Sequence, residues 1–274
     1  MDSQTSYVNF EGHQVSVSSC LSEVHDALRQ RFPTMLHRRP TNVIGRLEVG
    51  RQTGTYSLNG ELETPFSDQI LTNVLEQLNR AIAQRFIDTQ TALLWFHAAA
   101  VCNDDGAVVL PGGWGYGKST LSAKLADRGW TYLSDDLVPL DPRSGSLLPF
   151  PCMPAIRQTP PAAVPRERLS EVAKDIVTIP LDIVAGARVP LVTLIFPEYR
   201  FDGPIELTSC SPASAVVELL RNCLNFTVHG SAAVSYLCDI LAQRRAFRLT
   251  FNDAGAACDL IASVHGEGDF RRDA

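Results

Sequence analysis

The residues with the clearest chemical meaning form one short segment, Gly112-Gly113-Trp114-Gly115-Tyr116-Gly117-Lys118-Ser119-Thr120. This segment fits the pattern G-x-x-x-x-G-K-[ST] at every fixed position. Glycines allow backbone angles that point several N–H groups at one anion. Lys118 can reach the β- and γ-phosphates of a nucleotide, and the Ser119 hydroxyl can join a Mg²⁺ shell. The predicted phosphate contacts are Gly112, Gly113, Gly115, Gly117, Lys118, Ser119 and Thr120.

The flanks of this loop support a nucleotide site. Ala107–Leu110 is an apolar run typical of a buried strand, and Thr120–Arg128 has helical spacing and ends at Gly129. A helix N-terminus behind the loop adds a positive dipole end at the place where phosphates bind. The alternative is a glycine-rich turn that only caps a helix. The full motif in a strand–loop–helix context favours binding of a nucleoside triphosphate with Mg²⁺.

Two adjacent carboxylates, Asp135 and Asp136, follow the short apolar strand Thr131–Ser134. We expect that strand to neighbour the loop strand, because phosphoryl transfer needs a carboxylate on the metal near the phosphates. Adjacent residues of an extended chain point to opposite sides, so one carboxylate can face the metal and the other an incoming hydroxyl. Paired carboxylates also raise each other's proton affinity, which suits a general base. The alternative is a turn aspartate followed by a surface or capping aspartate.

His97 is a third candidate. It lies in the apolar segment Leu93–Val101, which we predict to be one buried strand. Asn103–Gly106 predicts a hairpin turn that places this strand beside the loop strand. An isolated histidine on a strand is more often a structural residue than a functional one.

The remaining chain predicts the elements around these residues. Residues 1–65 predict a small α+β lobe, and Phe66–Thr91 predicts one long amphipathic helix that opens a second domain over 66–265, followed by a polar tail at 266–274. Six prolines between residues 149 and 165 predict a shaped loop over the site, which includes Arg157. Helices and strands alternate after residue 189, and a break is expected at Pro197.

Composition excludes several classes of protein. The 274 residues carry a net charge of -6, which argues against a general nucleic-acid binder. No apolar run is long enough to span a membrane, and no secretory signal is visible at Met1. The seven cysteines are odd in number and widely spaced, which favours reduced thiols in the cytoplasm over disulfides or a zinc site.

Three motifs together resemble the HPr kinase/phosphorylase family of P-loop serine kinases. They are Phe96-His97-Ala98-Ala99, the Gly112–Thr120 loop and Leu133-Ser134-Asp135-Asp136. Later segments, among them Phe196–Tyr199 and Asn222–Phe226, are similar to the branch called HprK-related kinase A. The resemblance implies an α/β domain of the phosphoenolpyruvate-carboxykinase-like P-loop type, with a mixed sheet flanked by helices.

The resemblance also implies roles for individual residues. Gly117, Lys118 and Ser119 would hold phosphates and Mg²⁺. Asp135 would be the general base on a target serine hydroxyl, Asp136 would contact the metal, and His97 would lie beside the base. Arg157 would contact phosphate or the target.

The implied function is an ATP- and Mg²⁺-dependent transfer of the γ-phosphoryl group to a serine of a protein or peptide. The glycine-rich motif that contacts HPr in the bifunctional enzymes is not recognisable here, which argues against HPr as the acceptor. A kinase of small-molecule hydroxyls and a non-catalytic nucleotide-binding partner of a peptide-modification system remain alternatives. The resemblance leaves a homo-oligomer open, and the composition predicts neither a nucleic-acid nor a membrane partner.

Overall fold

A computed structural model of the protein describes residues 3–157, 174–180 and 186–266. These residues form a mixed α/β structure with two compact units. The first unit is Met1–Thr91 with Pro151–Met153, and the second is Ala92–Phe150 with Pro154–Ala274. The two units therefore divide at residue 91, whereas the sequence predicts a boundary near residue 65. None of the described helices is both long and apolar enough to cross a membrane.

The first unit contains a six-stranded mixed sheet in the order β3-β1-β2-β4-β5-β6. Its strands are β1 Gln4–Phe10, β2 His13–Ser19, β3 Leu36–His37, β4 Val43–Gln52, β5 Thr55–Gly60 and β6 Phe66–Asp68. Its helices are α1 Ser22–Arg31 and α2 Leu71–Thr89. The apolar face of α2 buries Val74, Leu78, Ile82 and Phe86, as its helical spacing predicts.

The prediction that one helix runs from Phe66 to Thr91 is wrong at its start. Phe66–Asp68 pairs antiparallel with β5 as an edge strand. The carboxylate of Asp68 then accepts hydrogen bonds from the backbone N–H of Ile70 and the side-chain amide of Asn73. These bonds begin α2 after the strand. Because α2 packs against β4, β5 and β6, it belongs to the first compact unit rather than to the loop-bearing one.

The second unit contains a nine-stranded mixed sheet. Seven strands follow the order β10-β8-β9-β15-β12-β11-β7, and β17 pairs with β15 and β16. The strands of this unit are β7 Leu94–Phe96, β8 Ala98–Asn103, β9 Gly106–Pro111, β10 Thr131–Ser134, β11 Val138–Asp141, β12 Ser146–Leu147, β13 Ala155–Arg157, β14 Lys174–Ile176, β15 Val189–Tyr199, β16 Glu206–Ser209 and β17 Arg245–Phe251. Its helices are α3 Lys118–Asp127, α4 Pro212–Leu220, α5 Phe226–His229, α6 Ser231–Leu241 and α7 Ala254–Gly266.

Helices cover both faces of this sheet. Alternate strand residues such as Ala100 and Val109 share a core with α4 and α6. On the other face, α3 and α7 pack against each other and against the sheet, and His265 of α7 bonds Thr193 of β15. Because β9, β15 and β17 run parallel, their carboxyl ends meet at one edge. That edge is where ligands bind in open sheets of this kind.

Two predicted elements differ from the observed ones. The expected single strand over Leu93–Val101 is two strands with His97 between them, and β7 and β8 pair with different neighbours. The expected break at Pro197 does not occur. The pairing of β15 with β9 ends at Leu194, so on that side no N–H is needed at Pro197, and the pairing with β17 continues to Tyr199.

Candidate functional site

The glycine-rich loop joins β9 to α3, with Gly117 immediately before the first helical residue. Gly117 has a φ angle of 89°, which an L side chain rarely adopts. A Cβ atom at this position would also lie 2.5 Å from the Cζ atom of Phe251. The positive φ angle and the close contact with Phe251 therefore both require glycine at this position. The ring of Phe251, at the end of β17, limits where the loop can run.

The side chain of Lys118 is turned into the loop and is only 5% exposed. Its ammonium group donates to the carbonyl oxygen of Gly113 at 2.9 Å and lies 3.1 Å from Nε2 of His97. Lysine has only donors, so Nε2 of His97 must be the acceptor. A loop carbonyl and an imidazole are thus among the groups that hold the loop lysine.

His97 reaches this lysine because of the β8–β9 hairpin. Ala98 pairs with Pro111, so the next residue outward, His97, lies opposite Gly112, the first residue of the loop. The backbone N–H of Gly112 lies 3.5 Å from the carbonyl oxygen of His97. Nδ1 of His97 lies 3.2 Å from the carbonyl oxygen of Asp136 and must donate to it. These partners assign the neutral Nδ1–H tautomer.

Ser119 and Asp135 form a second pair. The hydroxyl of Ser119 lies 2.9 Å from Oδ1 and 3.0 Å from Oδ2 of Asp135, whose side chain is fully buried. Contrary to the expectation of a neighbouring strand, β8 lies between β10 and β9. The carboxyl ends of β10 and β9 still reach the same edge, because both strands run antiparallel to β8.

Asp136 differs from Asp135 in both conformation and exposure. Its φ angle is 65°, in the left-handed region that aspartate tolerates better than most residues, and its side chain is half-buried. This conformation turns the Asp136 carbonyl toward His97. The two aspartates therefore have separate environments, with Asp135 at the loop serine and Asp136 nearer to solvent.

The sequence motifs include Ser134 and Asn222, but the sequence did not predict that these residues hold the site in place. The buried hydroxyl of Ser134 donates to the carbonyl of Phe150 at 2.7 Å and fixes the end of β10 just before Asp135. The segment Asn222–Asn225 lies along β7, and the N–H of His97 donates to the carbonyl of Asn222 at 2.8 Å. Serine and asparagine are common in loops, and no local spacing marks these contacts.

The other candidate residues lie around the loop in different ways. Thr120 and Trp114 are exposed, and the ring of Tyr116 lies against Gly113. Gly115 has a φ angle of 78°. Arg157 ends β13, which lies near α3, but its side chain is outside the described part of the structure, as are residues 158–165 of the proline-rich segment and the tail from residue 267.

The donor set at the loop fits magnesium rather than a transition metal. A serine hydroxyl and a carboxylate are hard oxygen ligands, and Mg²⁺ is commonly held by one or two carboxylates together with substrate phosphates. Among the residues that the structure describes, no group of three His, Cys, Asp or Glu residues could hold a metal alone. A cation at Ser119 and Asp135 would therefore share its coordination with a phosphate ligand.

Comparison with known proteins finds a structural similarity without a sequence-family match. No protein-family model matches the chain, and no curated protein matches it. Among solved structures, the chain is similar to the HPr(Ser) kinase/phosphatase from Coxiella burnetii. The identity is 15% and the TM-score is 0.31, and the match covers 63% of this chain and 91% of that chain. The functional interpretation therefore rests on the geometry around the loop and not on this similarity.

Proposed function

We propose that this protein is a Mg²⁺- and ATP-dependent kinase that transfers the γ-phosphoryl group to a serine hydroxyl of a protein or peptide. The observation that carries the proposal is the hydrogen bonding of Ser119 to both carboxylate oxygens of Asp135, directly behind the glycine-rich loop. A loop with the sequence pattern of a triphosphate site, next to a buried carboxylate, is the arrangement that phosphoryl transfer requires.

In this proposal the loop binds the phosphates of ATP. Backbone N–H groups of the loop and the N-terminus of α3 attract the phosphates. The ammonium of Lys118 exchanges the Gly113 carbonyl for a phosphate oxygen while it keeps His97 as its second partner. Lys118 is then aimed at the charge that develops on the transferred group. His97 acts in this scheme by holding Lys118.

The geometry favours an exchange of the two aspartate roles that the resemblance implied. Asp135 is fully buried and bonded to Ser119, so we assign it to the metal together with that serine. Asp136 is half-buried and follows directly, so we assign it as the base that accepts the proton of the incoming hydroxyl. When bound, Mg²⁺ would neutralise charge on the β- and γ-phosphates.

The proposal is tested by transfer of ³²P from γ-labelled ATP. The purified chain is incubated with Mg²⁺ and peptides that differ only in a serine, threonine or tyrosine acceptor, and in parallel with small alcohols. We expect label on serine peptides and none with Lys118→Ala. The matched control is Lys124→Ala, which replaces an exposed lysine six residues further along α3.

The other outcomes separate the alternatives. Label on small alcohols alone would replace the proposal with a small-molecule kinase. Binding of ATP without transfer to any acceptor, including a cell extract analysed by phosphoproteomics, would indicate a non-catalytic nucleotide-binding partner. Equal rates of transfer by the wild type and Lys118→Ala would show that the glycine-rich loop does not take part in the reaction.

A further inference from the structure

The segment Asn222–Asn225, between α4 and α5, lies along β7 like an additional strand. The N–H of Leu224 donates to the carbonyl of Trp95 at 2.7 Å, and the N–H of His97 donates to the carbonyl of Asn222 at 2.8 Å. Phe96 and Cys223 form an antiparallel bridge between these bonds. The segment therefore fixes the backbone of the residues that lead into His97.

The side chain of Asn225 completes this pairing. Its Oδ1 accepts from the backbone N–H of Trp95 at 3.1 Å, and its Nδ2 donates to the carbonyl of Leu93 at 2.8 Å. The asparagine amide thereby supplies one acceptor and one donor, as a backbone residue of a neighbouring strand would. Asn225 is 2% exposed, so both groups depend on these partners rather than on water.

His229 adds a second donor at the same carbonyl. Its Nε2 lies 3.1 Å from the carbonyl oxygen of Leu93 and 3.3 Å from Nδ2 of Asn225. Because the carbonyl can only accept and Nδ2 already donates to it, we assign Nε2 as the donor to Leu93. Leu93 precedes β7, and His97 follows it. Bonds to Asn222, Leu224, Asn225 and His229 therefore hold β7 at both ends.

We propose that Asn225 is a positioning residue for the phosphoryl-transfer site. Asn225 fixes β7, β7 fixes the ring of His97, and that ring fixes the ammonium of Lys118 at 3.1 Å. The effect of Asn225 on phosphoryl transfer rests on the proposed function. Its structural part, control of the His97 ring by Asn225, is independent of any reaction.

The test uses ¹⁵N NMR of histidine side chains in the full chain. The chain has six histidines, and the signals of His97 are identified by their loss in His97→Gln. In the wild type we expect His97 to show the neutral Nδ1–H tautomer. Asn225→Ala removes both hydrogen bonds of the side-chain amide, and in this variant we expect a mixture of tautomers at His97. The gentler variant His229→Phe, which removes one donor to Leu93, is expected to shift the same signals less.

Kinetics give the second readout. If Lys118 is held less firmly, kcat should fall while binding to the loop amides persists. We expect Asn225→Ala to lower kcat about tenfold or more, with the Kd for ATP changed by less than about twofold. The control Ser211→Ala removes the N-cap of α4 in the same unit, so it lowers stability without loss of a bond to Leu93–His97.

The outcomes are distinguishable from failure of the proposed function. Unchanged His97 signals in folded Asn225→Ala, or in folded His229→Phe if Asn225→Ala does not fold, would overturn the inference. The same change in Ser211→Ala would also overturn it, because general destabilisation would then be the cause. If the wild type transfers no phosphoryl group, the proposed function fails, but the NMR comparison still decides whether Asn225 positions His97.

Discussion

The ammonium nitrogen of Lys118 lies 3.1 Å from Nε2 of His97, while Nδ1 of the same ring lies 3.2 Å from the carbonyl oxygen of Asp136. One imidazole thus joins the glycine-rich loop to the turn that carries both aspartates. The ring can accept from lysine and donate to a carbonyl only as the Nδ1–H tautomer. The position of Lys118 therefore depends on a residue that need not contact ATP.

Substitution of His97 tests this dependence. We expect His97→Ala to lower kcat about tenfold to a hundredfold, because Lys118 loses a partner that fixes its position. His97→Gln, whose side-chain amide can both accept and donate, should lose less. The Kd for ATP, measured by calorimetry, should change little in either variant. Equal losses in the two variants would mean that the ring does not act through Lys118.

The two aspartates should respond differently to Mg²⁺. We expect Asp135→Asn to raise the Mg²⁺ concentration for half-maximal transfer, because a carboxylate ligand beside Ser119 is lost. Asp136→Asn should lower the maximal rate about a hundredfold or more without a change in the Mg²⁺ requirement. The assay is the rate of ³²P transfer over a magnesium titration. The reverse pattern would support Asp135 as the base and Asp136 as the metal ligand.

Gly117→Ala should abolish tight nucleotide binding. The variant combines an unfavourable φ of 89° with a contact to Phe251, and we expect a loss of at least about 1–3 kcal/mol in the free energy of unfolding. Urea unfolding and ATP calorimetry measure the two effects. Gly129→Ala is the matched control, because Gly129 has a φ of 90° and open space around it.

The difference between Gly117→Ala and Gly129→Ala isolates the contact with Phe251. Adding Phe251→Leu to Gly117→Ala should recover part of the lost stability, since a smaller side chain relieves the contact but not the backbone strain. No difference between the two alanine variants would show that Phe251 does not constrain the loop.

His265 should make stability depend on pH. Burial lowers the pKa of His265 below its usual value, and the ring is held by Thr193 and Asn103, each at 2.9 Å. The unfolded chain then binds this proton more readily than the folded one. Stability is fully present above the unfolded pKa of 6.5 and falls as the pH drops toward the lowered folded pKa, by at most about 1.4 kcal/mol per pH unit.

Urea unfolding of the wild type and His265→Gln between pH 5 and 8 measures this contribution. The difference between the two chains should shrink as the pH falls below 6.5, because the wild type alone loses the His265 contribution. A difference that stays constant over the range would contradict the assignment of a neutral, buried ring.

The cysteines should react in a fixed order. Burial raises the pKa of Cys258 to about 11, so at pH 8 only about one thiol in a thousand is ionised there. Cys20 and Cys238 are exposed. Alkylation at pH 8 followed by mass spectrometry should label those two first and Cys258 only after addition of denaturant. Early labelling of Cys258 would show that α7 opens from α3 in the native state.

Local features of the sequence account for much of the loop-bearing unit. The glycine motif, the apolar run before it and the helical spacing after it are contiguous, so β9, the loop and α3 could be predicted. The two-residue turn at Asp104-Asp105 also fixes the hairpin register that places His97 opposite Gly112. Ser211 followed by Pro212 likewise predicts a helix from Ser211 to Leu224, and α4 does begin there but already ends at Leu220.

Contacts between distant residues could not be predicted in this way. The pairing of Ser119 with Asp135 depends on the position of β10 in the sheet. In the observed strand order, β8 lies between β10 and β9. At the break between β7 and β8, the N–H of His97 bonds to the carbonyl of Asn222, which is distant in sequence. Such contacts follow from tertiary packing, which overrides local strand preference.

The contact between Phe251 and Gly117 has a consequence for the order of folding. The two residues are distant in sequence, and the strand that carries Phe251 joins the sheet through parallel pairing with β15, a non-local contact whose loop closure is entropically costly. During synthesis the glycine motif leaves the ribosome well before this support is available. We therefore expect the loop to reach its constrained path only after the last strand of the sheet has docked, when the fold is complete.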